Sequence, residues 1–203
     1  GALRVPDMIL WGGYLNGPTA VPGQYRVRLR LNDETIEQEF SLMPDPRSSA
    51  SLSDLQVQFD FIAAVRDKLS ETHRAILDIR KLRDDIVDVE SKLNSEEHQD
   101  ILDMSGKMKR ELTAIEEALY QTKNRSRQDP LNYPIKLGNK LAALNGVVAT
   151  GDWKPTDQAY DVRKALEEKI DYQLKRFHQI RERKITELNR LLLEAEVEYI
   201  KMD

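Results

Sequence analysis

The sequence predicts a mainly α-helical protein: a long antiparallel bundle of four helices arranged in three columns, preceded by a small β hairpin. Three observations carry that reading. Apolar side chains recur at steps of three and four over stretches much longer than an ordinary globular helix, while strict alternation is confined to residues 25–42. The composition is that of long helices with solvated faces, 33% charged and 6% aromatic, with only 9 glycines and 8 prolines in 203 residues. A chain of this length buries a continuous core without staples, and it has none, since it contains 0 cysteines. Their absence also removes thiolate metal sites and cysteine nucleophiles.

Charge narrows the partners. The 31 basic and 35 acidic side chains are interspersed and leave a net charge of −4, so no large single-sign field forms and nucleic acid is not expected as a partner. No run of about 18 apolar residues exists, so no membrane span is predicted. The start lacks the basic-then-apolar pattern of a signal peptide. It reads Gly1-Ala2-Leu3, with no initiator Met, and Met8-Ile9-Leu10-Trp11 reads as a strand with no domain before it, so a piece of a longer protein is expected.

Residues 1–46 form the expected β segment and residues 47–203 the bundle. Tyr25, Val27, Leu29 and Leu31 share one face of a strand whose other face carries Arg26, Arg28 and Arg30. A second alternating run, 35–42, follows the turn residues Asn32, Asp33 and Glu34, so the two make a hairpin in which the arginines meet Glu37 and Glu39. A lone hairpin buries too little to offset its ordering entropy. It must pack on the end of the bundle or belong to a β-sandwich.

Pro44-Asp45-Pro46 ends the strand region, and Ser51 with Asp54 forms a capping box. From Leu55 the series Leu55, Phe59, Ile62, Val65, Leu69, Thr72, Ile76, Ile79, Leu82, Ile86, Val89, Leu93 predicts one helix of about 40 residues. Asn94-Ser95 followed by Glu96-Glu97 reads as a stop and restart. The second series is Ile101, Ser105, Met108, Leu112, Ile115, Leu119, Thr122. So short a link makes the two helices antiparallel. Pro134 opens a shorter third helix with Leu137, Leu141, Leu144 and Val148 on one side, closing near Thr150-Gly151. Pro155-Thr156 begins the last, which carries Val162, Leu166, Ile170, Leu174, Phe177, Ile180, Ile185, Leu188, Leu192, Ala195 and Tyr199. The second and third helices together match the length of the first, so a broken middle column is expected; four helices with one short member is the alternative.

No residue pattern points to catalysis. His73, His98 and His178 fall on three separate stretches, without the short pairings of a metal site. Most carboxylates lie within a helical turn of a Lys or Arg, which solvated ion pairs explain. Gly138-Asn139-Lys140 lacks the second glycine and the preceding strand of a phosphate loop and reads as a point of close helix approach. Asn124-Arg125-Ser126 is a glycosylation sequon that matters only in a glycosylating pathway. The sequence therefore names no catalytic residue, cofactor or metal. Four aromatic residues in loops, Trp153, Tyr133, Trp11 and Tyr14, are the candidate partner contacts; the alternative is that they seal the bundle end or the hairpin against it.

Two stretches carry a resemblance. Pro22-Gly23-Gln24-Tyr25-Arg26-Val27-Arg28-Leu29, with Asp45-Pro46-Arg47, resembles the last strands of an immunoglobulin-like module. Asp129-Pro130-Leu131-Asn132-Tyr133-Pro134-Ile135-Lys136-Leu137, then Asn139-Lys140-Leu141-Ala142-Ala143-Leu144 and Pro155-Thr156-Asp157-Gln158-Ala159-Tyr160, resembles the C-terminal region of large bacterial sortilin-like or Asp-box (BNR) repeat proteins described as glycosyl hydrolases. The resemblance implies a partial immunoglobulin-like sheet before the bundle. It implies a neighbouring β-propeller in the same parent protein, where the sugar or peptide chemistry would reside, and an extracytoplasmic location, periplasmic or secreted. No Asp-box repeat or propeller blade occurs in this sequence, so the hydrolase activity transfers to none of its residues. The resulting expectation is a non-catalytic structural or interaction module that spaces or dimerises the parent. The alternative is a glycan-binding or glycoside-hydrolase accessory unit.

Overall fold

A computed structural model describes residues 1–197 and Ile200. The last position of the fourth apolar series, Tyr199, lies outside the described residues. Two antiparallel strands, β1 (Gly23–Leu31) and β2 (Glu34–Leu42), precede α1 (Leu52–Glu90), α2 (Gln99–Leu119), α3 (Leu137–Val148), α4 (Asp157–Gln179) and α5 (Ile185–Glu194). A five-residue π turn, Ile180–Lys184, joins α4 to α5, so these two make one continuous column. The protein is thus mainly α-helical with a small hairpin.

Side-chain contacts fix the register of three columns. Glu116 on α2 meets Arg80 and Arg83 on α1, and Ser105 Oγ donates to Glu90 at 2.5 Å, so α2 runs back along α1. A β-carbon at Gly138 would lie 3.1 Å from the Leu119 carbonyl, so α3 starts against the end of α2. Farther down, Gln58 donates to the Val148 carbonyl at 2.9 Å. The middle column is therefore α2 and α3 end to end. α4 returns parallel to α1, with Phe61 edge-on to Tyr160 at 5.0 Å between centroids and Lys68 paired with Asp171 at 2.8 Å. Its continuation meets α2 through Lys184 and Glu111 at 2.6 Å.

The helices begin where local chemistry supplies caps. At α1 the Ser51 hydroxyl accepts from the Asp54 amide, and the Asp54 carboxylate accepts from the Ser51 amide at 3.1 Å. At α4 the Thr156 hydroxyl accepts from the Ala159 amide. Three boundaries differ from expectation, the first being the end of α1, at Glu90 rather than past Leu93. α2 begins at Gln99, because Asn94 spends its side chain on the Glu96 amide and leaves a turn through 91–98. α3 begins at Leu137, three residues past Pro134, whose carbonyl is taken by Gln121.

The core is the predicted seam with three amendments. Val65, Leu69, Ile76, Ile79 and Ile86 of α1, Leu112 and Ile115 of α2, and Ile170, Ile185, Leu188 and Leu192 of the third column are all sealed from solvent. In the first turns of α1, Gln58 and Phe61 are buried where Phe59 was expected. Val162 is exposed at the start of α4, where Ala159 lies inward. The five-residue step from Ile180 to Ile185 would rotate an α-helical seam off the core. The π turn absorbs it, since the Ile185 amide donates to the Ile180 carbonyl.

Residues 1–16 form no strand. They lie as a strap on α1 and the middle column that doubles back on itself, the Ala2 amide donating to the Leu15 carbonyl at 2.7 Å, and the helices supply most of its other partners. Leu3 donates to Ser70 Oγ at 3.0 Å, Ile9 to the Tyr120 hydroxyl at 3.0 Å, and Tyr14 to the Ala142 carbonyl at 3.0 Å.

Candidate interaction surface

The strands pair in one register, Tyr25 opposite Phe40, Val27 opposite Gln38, Leu29 opposite Ile36 and Leu31 opposite Glu34. Directly paired residues share a face, so Tyr25, Val27, Leu29, Leu31, Ile36 and Phe40 form one largely apolar face, with Gln38 at its middle and Glu34 at its tip. The opposite face is a charge ladder: Arg26 bonds Glu39 at 2.9 Å and reaches Glu37 at 3.3 Å, and Arg28 bonds Glu37. Asn32 turns the chain in the left-handed conformation, φ 52°, which Asn tolerates.

Only the root of this hairpin meets the bundle. Val21, Pro22, Leu42 and Met43 border a cleft of about 280 Å³ with Leu55, Gln58 and Asp152. Beyond it the strands pack on each other alone: Leu29 is 62% exposed, Ile36 64% and Leu31 67%. The ring of Tyr25 stacks on Phe40, 5.9 Å between centroids; Tyr25 is half-buried near the root, whereas Phe40 stays exposed. A contiguous apolar face of this kind, left uncovered by the rest of the described residues, marks a contact surface.

The four loop aromatics do not converge on it. Trp11 and Tyr14 lie on the strap and border an open groove of about 580 Å³ with Arg4, Asn16, Arg127 and Gln128. Their backbone is clamped: Asn139 Oδ1 accepts from the Trp11 amide at 2.8 Å, its Nδ2 donates to the Trp11 carbonyl at 2.7 Å, and Asn145 Nδ2 donates to the Tyr14 carbonyl at 3.2 Å. Tyr133 and Trp153 flank opposite ends of α3, about 18 Å of helix apart. The Lys123 ammonium stands 5.8 Å over the Tyr133 ring. Trp153 keeps its indole exposed while its carbonyl accepts from Gln58.

Most polar side chains buried in the bundle have structural partners, although Asn124 Oδ1 and Asn145 Oδ1 accept no hydrogen bond. Gln58 Nε2 serves the carbonyls of Val148, Gly151 and Trp153, at 2.9, 2.8 and 3.0 Å, tying the end of α3 to α1. Glu116 lies 2% exposed between Arg80 Nε at 2.7 Å and Arg83 Nη2 at 2.6 Å. His73 donates from Nδ1 to the Leu3 carbonyl at 2.5 Å, and burial holds its pKa below the usual imidazole value. Asn124 is also buried, with Nδ2 donating to the Ile9 carbonyl at 3.3 Å, so the folded sequon presents no free acceptor amide. His98 precedes α2 and His178 lies on α4, apart from His73. Among the described residues no three His, Cys, Asp or Glu side chains gather in a group that could hold a metal ion, and no helix is long and apolar enough to cross a membrane.

Sequence reasoning placed the hairpin and its two faces, since alternation shows both. It missed the strap, because the residues that hold it, Asn139, Asn145 and His73, lie inside helical patterns and act only through their side chains. Comparison of the chain with family models, curated proteins and solved structures finds no match.

Proposed function

We propose that this chain is a non-catalytic structural and interaction module of a larger exported protein, and that its contact surface is the apolar face of the hairpin. The observation that supports this reading is the exposure of Leu29, Leu31 and Ile36 on a two-stranded ribbon that the bundle leaves uncovered. Two strands are marginal in water by themselves, so a ribbon of this length gains order by burying that face elsewhere. The rigid three-column bundle then sets the spacing between the ribbon and whatever its far end carries. The sequence resemblance supplies the proposed setting, a parent with a β-propeller whose position this module would fix.

The test is photocrosslinking in the longer protein. A crosslinker at Ile36 should capture a partner segment, and the same group at Leu193, on the exposed face of α5, should not. Equal yields at the two positions would contradict the reading.

The groove at Trp11 supports a second reading, a glycan-binding accessory unit. A half-exposed indole beside Arg4, Asn16, Arg127 and Gln128 offers a stacking face next to planar hydrogen-bonding groups, the combination that a sugar ring takes. Oligosaccharides should then shift indole fluorescence in the wild type and not in Trp11→Phe. An unchanged spectrum across a broad panel removes this reading.

A further inference from the structure

The face of the hairpin is open in two ways, along its edges and across its apolar side, and the charges decide between them. Both strands have an unpaired edge. A closed, two-fold pairing of copies along β1 would set Arg26, Arg28 and Arg30 of one beside the same arginines of the other. Pairing along β2 would likewise set Glu37 and Glu39 against themselves. Like charges directly opposite one another destabilise a sheet, which is the means by which natural edges avoid joining. Joining β1 of one copy to β2 of the next would match the charges, but that contact is head-to-tail and does not close on itself.

Across the face the situation reverses. Tyr25, Val27, Leu29, Leu31, Ile36, Gln38 and Phe40 carry no charge, Glu34 stands apart at the tip opposite Leu31, and behind the face Arg26 and Arg28 are paired with Glu37 and Glu39, so no cluster of like charge selects a partner of opposite sign. The face is self-complementary: turned over by a two-fold axis across the strands, its apolar side chains meet apolar side chains around Gln38, and Glu34 at each tip lies at the rim. Its size is also sufficient. A nine-residue ribbon is about 30 Å long and, with its side chains, about 15 Å wide, so two stacked faces bury on the order of 1,000 Å² in total, the lower bound for a specific interface.

We infer that the occupant of this face is a second copy of the chain, and that two hairpins stack face to face about a two-fold axis into a four-stranded sandwich with the charge ladders outward. This rests on the reading of the hairpin as the contact surface and names its partner. With the two-fold axis across the strands, the two bundles project from opposite ends of the sandwich, because each meets its hairpin only at the root. The contact is small, so the dimer dissociates at concentrations on the order of micromolar.

Sedimentation equilibrium of the full chain from about 1 to 300 µM tests it. The wild type should pass from monomer to dimer mass across that range. Leu29→Lys and Ile36→Lys should each weaken association at least about tenfold while leaving the helical circular dichroism unchanged, since neither residue touches a helix. Arg28→Glu, which breaks the ladder behind the face, should also weaken it, whereas an edge-joined assembly would gain from relief of the arginine repulsion. A monomer at every concentration, or a dimer indifferent to both lysine substitutions, overturns the second-copy proposal. In that event crosslinking from Ile36 in the longer protein decides the broader reading separately: captured segments of another domain leave the contact surface standing with a different occupant, and no capture removes both.

Discussion

Glu116 shows what single residues do here. Its carboxylate is sealed from water and held by two guanidiniums that are themselves only about a third exposed, so removing it leaves two charges facing a gap. Glu116→Ala should lower unfolding stability by about 2–3 kcal/mol in urea titrations, whereas truncating exposed Glu194, paired one turn away with Arg190, should cost less than about 0.5 kcal/mol. His73 adds a pH dependence. Burial depresses its folded pKa, so the unfolded chain takes up a proton first as pH falls below about 6.5. The neutral imidazole therefore contributes fully above that value, and its contribution is lost as pH falls toward the depressed folded pKa. Urea midpoints measured between pH 7.5 and 5 should show this decline in the wild type and a flatter profile in His73→Gln. Neither residue's role was legible in the sequence. Glu116 sits in a helical pattern crowded with solvated carboxylates, and only the arrival of α1 beside α2 distinguishes it from them.

At the scale of elements, periodicity carried most of the information. The steps of three and four placed α1 to within about one turn, ending at Glu90 where Leu93 was the last expected position, because a long apolar seam follows the helical period. The series for the last helix contained a step of five, Ile180 to Ile185, whose meaning emerged only in the π turn. Deleting Arg183 should convert that turn to α-helix and keep Ile185 on the seam, with stability within about 1 kcal/mol of wild type. Deleting Lys169 should instead rotate the first part of α4 by about 100° and collapse cooperative unfolding. Thermal melts by circular dichroism distinguish the two deletions. The strap escaped detection for the opposite reason: it has no period, and its backbone is satisfied one amide at a time by Ser70, Tyr120 and Asn139. Asn139→Ala should cost about 1–2 kcal/mol and raise hydrogen exchange at the Trp11 amide, with the bundle amides unaffected.

The whole molecule divides into a tightly packed body and a ribbon that shares only its root with that body. The three columns account for the core, and while single apolar side chains such as Val147, Tyr172 and Leu193 are exposed on the helices, the strand register gathers Val27, Leu29, Leu31 and Ile36 into one open face on the ribbon. Amphipathic alternation foretold a buried face on the hairpin, and the bundle does not bury it. That mismatch between pattern and packing is what supports the reading of the ribbon as a contact surface. It also makes a plain dynamic statement, since strands without a packed face open far more readily than core helices. Residue-resolved hydrogen exchange on the chain, diluted below about 1 µM so that copies are apart, tests this most directly. The account predicts that amides of Val27, Leu29 and Gln38 exchange with little protection while those of Leu112 and Ile115 exchange only through global unfolding. Equal, strong protection of the ribbon and the core under those conditions would contradict it, because the hairpin would then be an integral part of the bundle.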